Sequence, residues 1–151
     1  MRKTCPSEVV VPSRRPFGPT RAFTVTNGDI INVPTVGVWS PDGSFGVGPN
    51  GTTWPAAQAG FLSPAPWACL IAFVGPNPYL DDQGNNRWQD GTTYFPRPYG
   101  TNYYFVGAAG VFTNTLRPGK LWFGFNDDGV AGTTINDNSG FVHGTVQITH
   151  P

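Results

Sequence analysis

The sequence predicts an all-β fold, a β-sandwich of about eight antiparallel strands with long loops, and three observations carry that prediction. Glycine and proline number 20 and 16 of 151 residues, whereas Glu8 is the sole glutamate, Lys3 and Lys120 the only lysines and Met1 the only methionine, so straight-chain helix formers are nearly absent. Short runs of β-branched and aromatic residues recur between turn signals. A hydrophobic share of 38%, with 14% aromatic, supplies bulky side chains for one core in a chain of single-domain length.

In chain order the runs fall at 8–11, 22–26, 29–33, 36–39, 68–74, 102–106, 120–125 and 142–149. Asn27-Gly28 separates the second from the third and supplies the positive φ of a tight turn, which predicts a hairpin over 22–33. From Cys69 to Val74 every residue is apolar, the pattern of a central strand covered on both faces. In the last run Val142, Val146 and Ile148 fall on one side and His143, Thr145 and Gln147 on the other, which predicts a half-buried strand with His143 at the surface. Two long segments, 41–66 and 75–101, are rich in Gly, Pro and Asn and read as loops of the length that usually carries function or embellishment.

Charge divides the chain unevenly. Residues 1–21 carry Arg2, Lys3, Arg14, Arg15 and Arg21 against Glu8, a net of +4; residues 22–151 carry four basic side chains against eight aspartates, a net of −4. The first stretch is therefore read as a basic arm on a 22–151 body. It either docks on an acidic face of its own or a neighbouring chain or remains a solvated terminus. Five basic residues without a helix or a repeated aromatic platform do not make a nucleic-acid surface. No apolar run reaches the roughly 18 residues of a membrane span, and 1–11 lacks the apolar core of a signal peptide, so the expectation is a soluble chain, cytoplasmic or exported by a non-classical route. Of the two cysteines, Cys69 reads as a buried thiol in its apolar run, and Cys5 is free to pair within or between chains.

Chemistry concentrates after the seventh run. Asn126, Asp127, Asp128, Thr133, Thr134, Asn136, Asp137, Asn138 and Ser139 fall within 14 positions. A hard cation such as Ca²⁺ takes six to eight oxygen ligands, and this segment offers carboxylates, amides and carbonyls in that number; the same residues also build ordinary solvated turns. EF-hand spacing is absent. Catalysis is poorly served: Glu8 is remote, no Gly-x-Ser-x-Gly is present, and His143 and His150 lack metal-ligand spacing or a neighbouring nucleophile. The clustered aspartates suit a cation better than a glycosidase pair.

These residues also carry a resemblance. A strand Leu-aromatic-x-x-x-Asn-Asp at 121–127, then Asp137-Asn138-Ser139-Gly140 and a closing alternating strand, resembles the LecA-like (PA-I) family of calcium-dependent galactose-binding lectins, which are jelly-roll-type β-sandwiches. Gly28-Asp29, Gly37-Val38-Trp39, Gly48-Pro49-Asn50-Gly51 and the apolar strand ending at Gly75 match in order, so the likeness spans roughly 22–150. It implies a Ca²⁺ held by the carbonyls of Pro41 and Thr134 and the side chains of Asp127, Asp137 and Asn138, with galactoside glycans completing the coordination through vicinal hydroxyls. Sugar contacts are implied for Asp127, Asp128 and Asn138, for Gln58 in Pro55-Ala56-Ala57-Gln58, and for Trp54, which stands where the family often has His.

Three departures bear on the site. The stretch from Asp127 to Thr134 is three residues longer than the family pattern, the first amide of the Asn pair is Asp137, and the segment 77–101 is an addition. The resemblance makes a lectin the leading function. The alternative is a self-assembling subunit with structural calcium or none, a homo-oligomer built through the 1–21 arm. Deletion of 1–21 is then expected to spare sugar binding in the first case and dissolve the assembly in the second.

Overall fold

In the computed structural model, residues 1–13, 17–18, 23–52, 65–76, 78, 103–115, 117–127 and 138–151 are described. They form eleven strands: β1 (Arg2–Lys3), β2 (Ser7–Pro12), β3 (Phe17–Gly18), β4 (Thr24–Val25), β5 (Ile30–Asn32), β6 (Thr35–Ser40), β7 (Leu70–Val74), β8 (Tyr103–Phe105), β9 (Val111–Thr113), β10 (Gly119–Phe125) and β11 (Ser139–His150). The fold is all-β, every pairing is antiparallel, and the strands divide between two sheets.

β11 is the spine of the first sheet, because its alternating pattern gives it one buried edge of Val142, Val146 and Ile148 over its whole length. β1 and β2 take one flank, β5 and β6 the other, and β9 lies beyond β5. In the second sheet β10 lies between β7 and the short strands β3 and β4, with β8 outside β7. The inner faces share a core of Val9, Val11, Ile31, Trp39, Leu70, Ala72, Leu121, Phe123 and Phe125, among others. β7 is buried at all five positions, as its continuous apolar run predicts; Cys69, Ile71, Phe73 and Tyr103 form a second cluster on its other face. There, burial pushes the Cys69 thiol up to about 12.

The Asn27-Gly28 turn forms but does not make the expected hairpin. Gly28 adopts φ +88° and Asp29 N–H donates to the Thr26 carbonyl, yet β4 pairs with β10 in the second sheet while β5 pairs with β11 in the first. The turn is a corner between sheets, since both flanking segments find better-matched partners elsewhere than in each other. β1, β3 and β9 are also absent from the predicted runs, and β9 shows why. Three residues between a tight turn and a polar loop leave no periodic signal.

Residues 2–3 and 7–12, inside the stretch that charge sets apart as an arm, are strands of the first sheet, and Val9 and Val11 sit in the core. Deletion of 1–21 is therefore not a neutral change. Removing even residues 1–13 strips one flank of β11 and two core valines, a loss of about 3–6 kcal/mol from the valines alone. A thermal melt followed by circular dichroism should show the cooperative transition lost or sharply lowered, and an unshifted melt would show that β2 is dispensable.

Among the described residues no helix is long and apolar enough to cross a membrane.

Candidate functional site

Three of the predicted oxygen donors, Pro41, Asp127 and Asn138, belong to described residues, and the strand register brings them to one end of the sandwich. Ser40 of β6 pairs with Ser139 of β11, which sets Pro41 and Asn138 side by side just beyond the last rung. Asp127 follows β10 on the other sheet. Its approach is fixed by Trp39, whose ring meets Phe125 edge-on at 4.3 Å, two residues before Asp127. Thr134, Asp137, Asp128, Trp54 and Gln58 lie outside the described residues.

Asp127 and Asn138 are each held by partners far away in the chain. Asp127 is 7% exposed, and its Oδ1 accepts from the indole N–H of Trp67 at 3.1 Å. Asn126 Nδ2 donates to the Pro66 carbonyl at 3.0 Å, while Asn126 also exchanges backbone hydrogen bonds with Ala68 and Cys69. Ala68, fully buried between them, takes φ +63°, a left-handed conformation that a side chain disfavours and the surrounding bonds enforce. Asn138 is fully buried, and its Nδ2 donates to the Ser13 carbonyl at 2.9 Å, which fixes the orientation of its amide. Ser13 in turn donates through N–H and Oγ to the Gly140 carbonyl. Gly140 has φ +84°, and a Cβ there would lie 2.5 Å from the Val38 carbonyl, so only glycine fits this join.

The loop after Pro41 is held by its own polar residues. Ser40 Oγ accepts from Gly43 N–H at 2.8 Å, and Asp42 Oδ1 accepts from the N–H and hydroxyl of Ser44 at 2.8 and 2.7 Å. Partial burial raises the Asp42 carboxyl, but hydrogen bonds from Ser44, Phe45 and Ser40 outweigh it and hold the group below its ordinary value. That carboxylate serves the loop. Phe45 lies 6.1 Å from the Trp67 ring, which links this loop to the Asp127 side of the site. An open groove of about 270 Å³ runs between the loop and the start of β11, lined by Ser40, Ser44, Phe45, Ser139 and Gly140 among others.

The donor set is an anionic carboxylate with an amide and a neighbouring main-chain segment, the hard oxygen chemistry that suits Ca²⁺. Among the described residues no three His, Cys, Asp or Glu side chains cluster as a metal site. Trp67, Ser13 and Ala68 escape the sequence reading. Their contacts join positions 58 and more residues apart, and no local pattern announces them.

No family model matches this chain, and no curated protein matches it. Among solved structures, it is similar to one described as the EclA N-terminal domain, a PllA-like lectin, with 16% identity over 95% of each chain and a TM-score of 0.41.

Proposed function

We propose that the chain is a carbohydrate-binding protein, a lectin without enzymatic activity, in which Ca²⁺ at the end of the sandwich presents two coordination positions to vicinal hydroxyls of a galactose-type sugar. The observation that carries this reading is that Asn138 lies beside Pro41 just beyond the Ser40–Ser139 pair, at the end of the first sheet where Trp39 packs on Phe125, two residues before Asp127 on the second. Asp127 supplies charge and a carboxylate oxygen, Asn138 an amide oxygen, and the Pro41 segment a carbonyl. Thr134, Asp137, Asp128, Trp54 and Gln58 complete the proposed set. When bound, the cation acts as an electrostatic anchor for hydroxyl oxygens. The protein's part is to hold those donors in place, through Trp67 at Asp127 and Ser13 at Asn138, before any ligand arrives. One such shallow site binds weakly, so affinity for a glycan surface grows with copies presented together, as in a homo-oligomer.

A glycan array on the purified chain, in calcium and again in EDTA, tests the reading. Galactoside binding that vanishes in EDTA is the expected result. Calcium should also raise the thermal midpoint of the wild type, because a ligand bound by the native state alone stabilises it, and Asp127→Asn should abolish that increase while still folding. A midpoint indifferent to calcium would remove the cation from the proposal, and galactoside binding indifferent to EDTA would remove the shared site.

A further inference from the structure

The two outer faces of the sandwich differ. On the second sheet the outward residues Ile71, Phe73 and Tyr103 are buried, with Tyr103 Oη donating to the Pro78 carbonyl. On the first sheet the outward face stands open along β11. Val38 and Phe141 share one cross-strand row, and Val36, His143 and Val10 the next; past Thr145 the face continues through Asn32 and Val111 to Ile30. Val10, Val36, Val38 and Val111 are 57–65% exposed, Phe141 52% and Ile30 38%, and among the described residues the other exposed large apolar side chains are Met1 and Phe105 alone. β11 runs for 12 residues, flanked on both sides over most of its length, and β9 adds a fourth strand at one end. At about 3.4 Å per residue and 4.8 Å per strand the face covers roughly 600 Å².

We propose that a second copy of this chain covers this face, the two first sheets stacked outer side to outer side in a dimer. Area argues for a protein partner. A pleated face carries more accessible surface than its outline, so about 600 Å² reaches the roughly 600–1,000 Å² that each side brings to a stable interface. Apolar side chains at both ends bracket Thr145, Gln147 and Asn32, the mixed composition of an interface between folded units. Self-complementarity argues for the second copy. Sheets stack about 10 Å apart through their alternating side chains, so a sheet face meets a like face without further adaptation. A groove of about 380 Å³ between β2 and β11 has the half-exposed ring of Phe141 on its wall, a hole and a knob on one surface that two copies fill reciprocally across a two-fold axis. Charge agrees. Glu8 and Lys3 are the charged residues at the outward positions of these strands, one of each sign, so like faces do not repel and no net charge recruits a different partner.

The interface stands apart from the calcium reading, and the test separates the two. The full-length chain, reduced so that the exposed thiol of Cys5 forms no bridge, is sedimented to equilibrium at about 100 µM, where an interface of this size holds. Twice the mass of one chain is expected. Val36→Lys and, separately, Val10→Lys put a charge on the covered face of both copies, and each should weaken self-association about a hundredfold, tenfold for each of the two charges taken in. Both valines are mostly exposed in the single chain, so each variant should keep the wild-type near-ultraviolet circular dichroism. Asp127→Asn, beyond the end of β10 on the second sheet, should keep the wild-type mass. A wild-type chain that is monomeric at that concentration would overturn the proposal. So would a dimer that either lysine variant leaves intact, which would place the contact on another surface.

Discussion

Replacing Trp39 by alanine is expected to cost about 3–5 kcal/mol, the range for deleting a large aromatic from a packed core, and to weaken the proposed calcium and sugar binding with it. Trp39 is 1% exposed, meets Phe125 edge-on, and exchanges both backbone hydrogen bonds with Val47. Its ring therefore sets the spacing between β6 and β10 at the end where Pro41 and Asp127 lie. Among the described residues the buried indole N–H has no hydrogen-bond partner, a cost that folding has absorbed. Trp39→Phe removes that orphan donor along with part of the ring, so it should lose far less, under about 1.5 kcal/mol as for a near volume-conserving swap. Urea denaturation of the two variants checks the contrast. Equal losses would show that volume alone matters, and a negligible loss for alanine would show that the ring is not core.

The second large effect concerns the sheet-crossing corner. Asp29, 1% exposed, accepts from Thr26 N–H at 2.8 Å through Oδ2 and from His150 Nδ1–H at 2.8 Å through Oδ1. Burial alone would raise its carboxyl, but the hydrogen bonds from Thr26 and His150, with the charge of His150, outweigh it and hold the group below its ordinary 3.8. A depressed carboxyl stabilises the native state above its unfolded-state value, and that contribution is lost as pH falls through the folded-state value. Stability should therefore drop on acidification below about pH 4, while Asp29→Ala should flatten this acid limb. At neutral pH the substitution should cost about 2–4 kcal/mol, because it leaves the Thr26 amide without its acceptor and breaks a largely buried pair. Denaturant midpoints between about pH 3 and pH 7 for both chains decide it, and parallel profiles would show that Asp29 is not the titrating group.

The same corner shows how far local pattern reaches. Asn27-Gly28 states that the chain turns there, since only the turn needs its positive φ. Whether the flanking strands pair with each other depends on β10 and β11, more than 80 residues downstream. Asn114 completes the corner: its Nδ2 donates to the carbonyls of Thr26 and Arg117, and its carbonyl accepts from Gly28. At the candidate site the density of oxygen-bearing residues points to Asp127 and Asn138. The indole that positions one and the serine that positions the other come from distant segments.

What the sequence determined by itself is the all-β class with eight of the eleven strands, the continuous burial of β7, the inward face of β11 and the oxygen-rich stretch between β10 and β11, because side-chain period and composition act over a few residues. The tertiary structure alone decided that residues 2–12 join the first sheet, that the turn at Gly28 changes sheets, and that Asn138 lies beside Pro41 at the end where Trp39 packs on Phe125. Those outcomes depend on which edges hydrogen-bond and which faces exclude water together, and such pairings exist only once the whole chain has closed around one core.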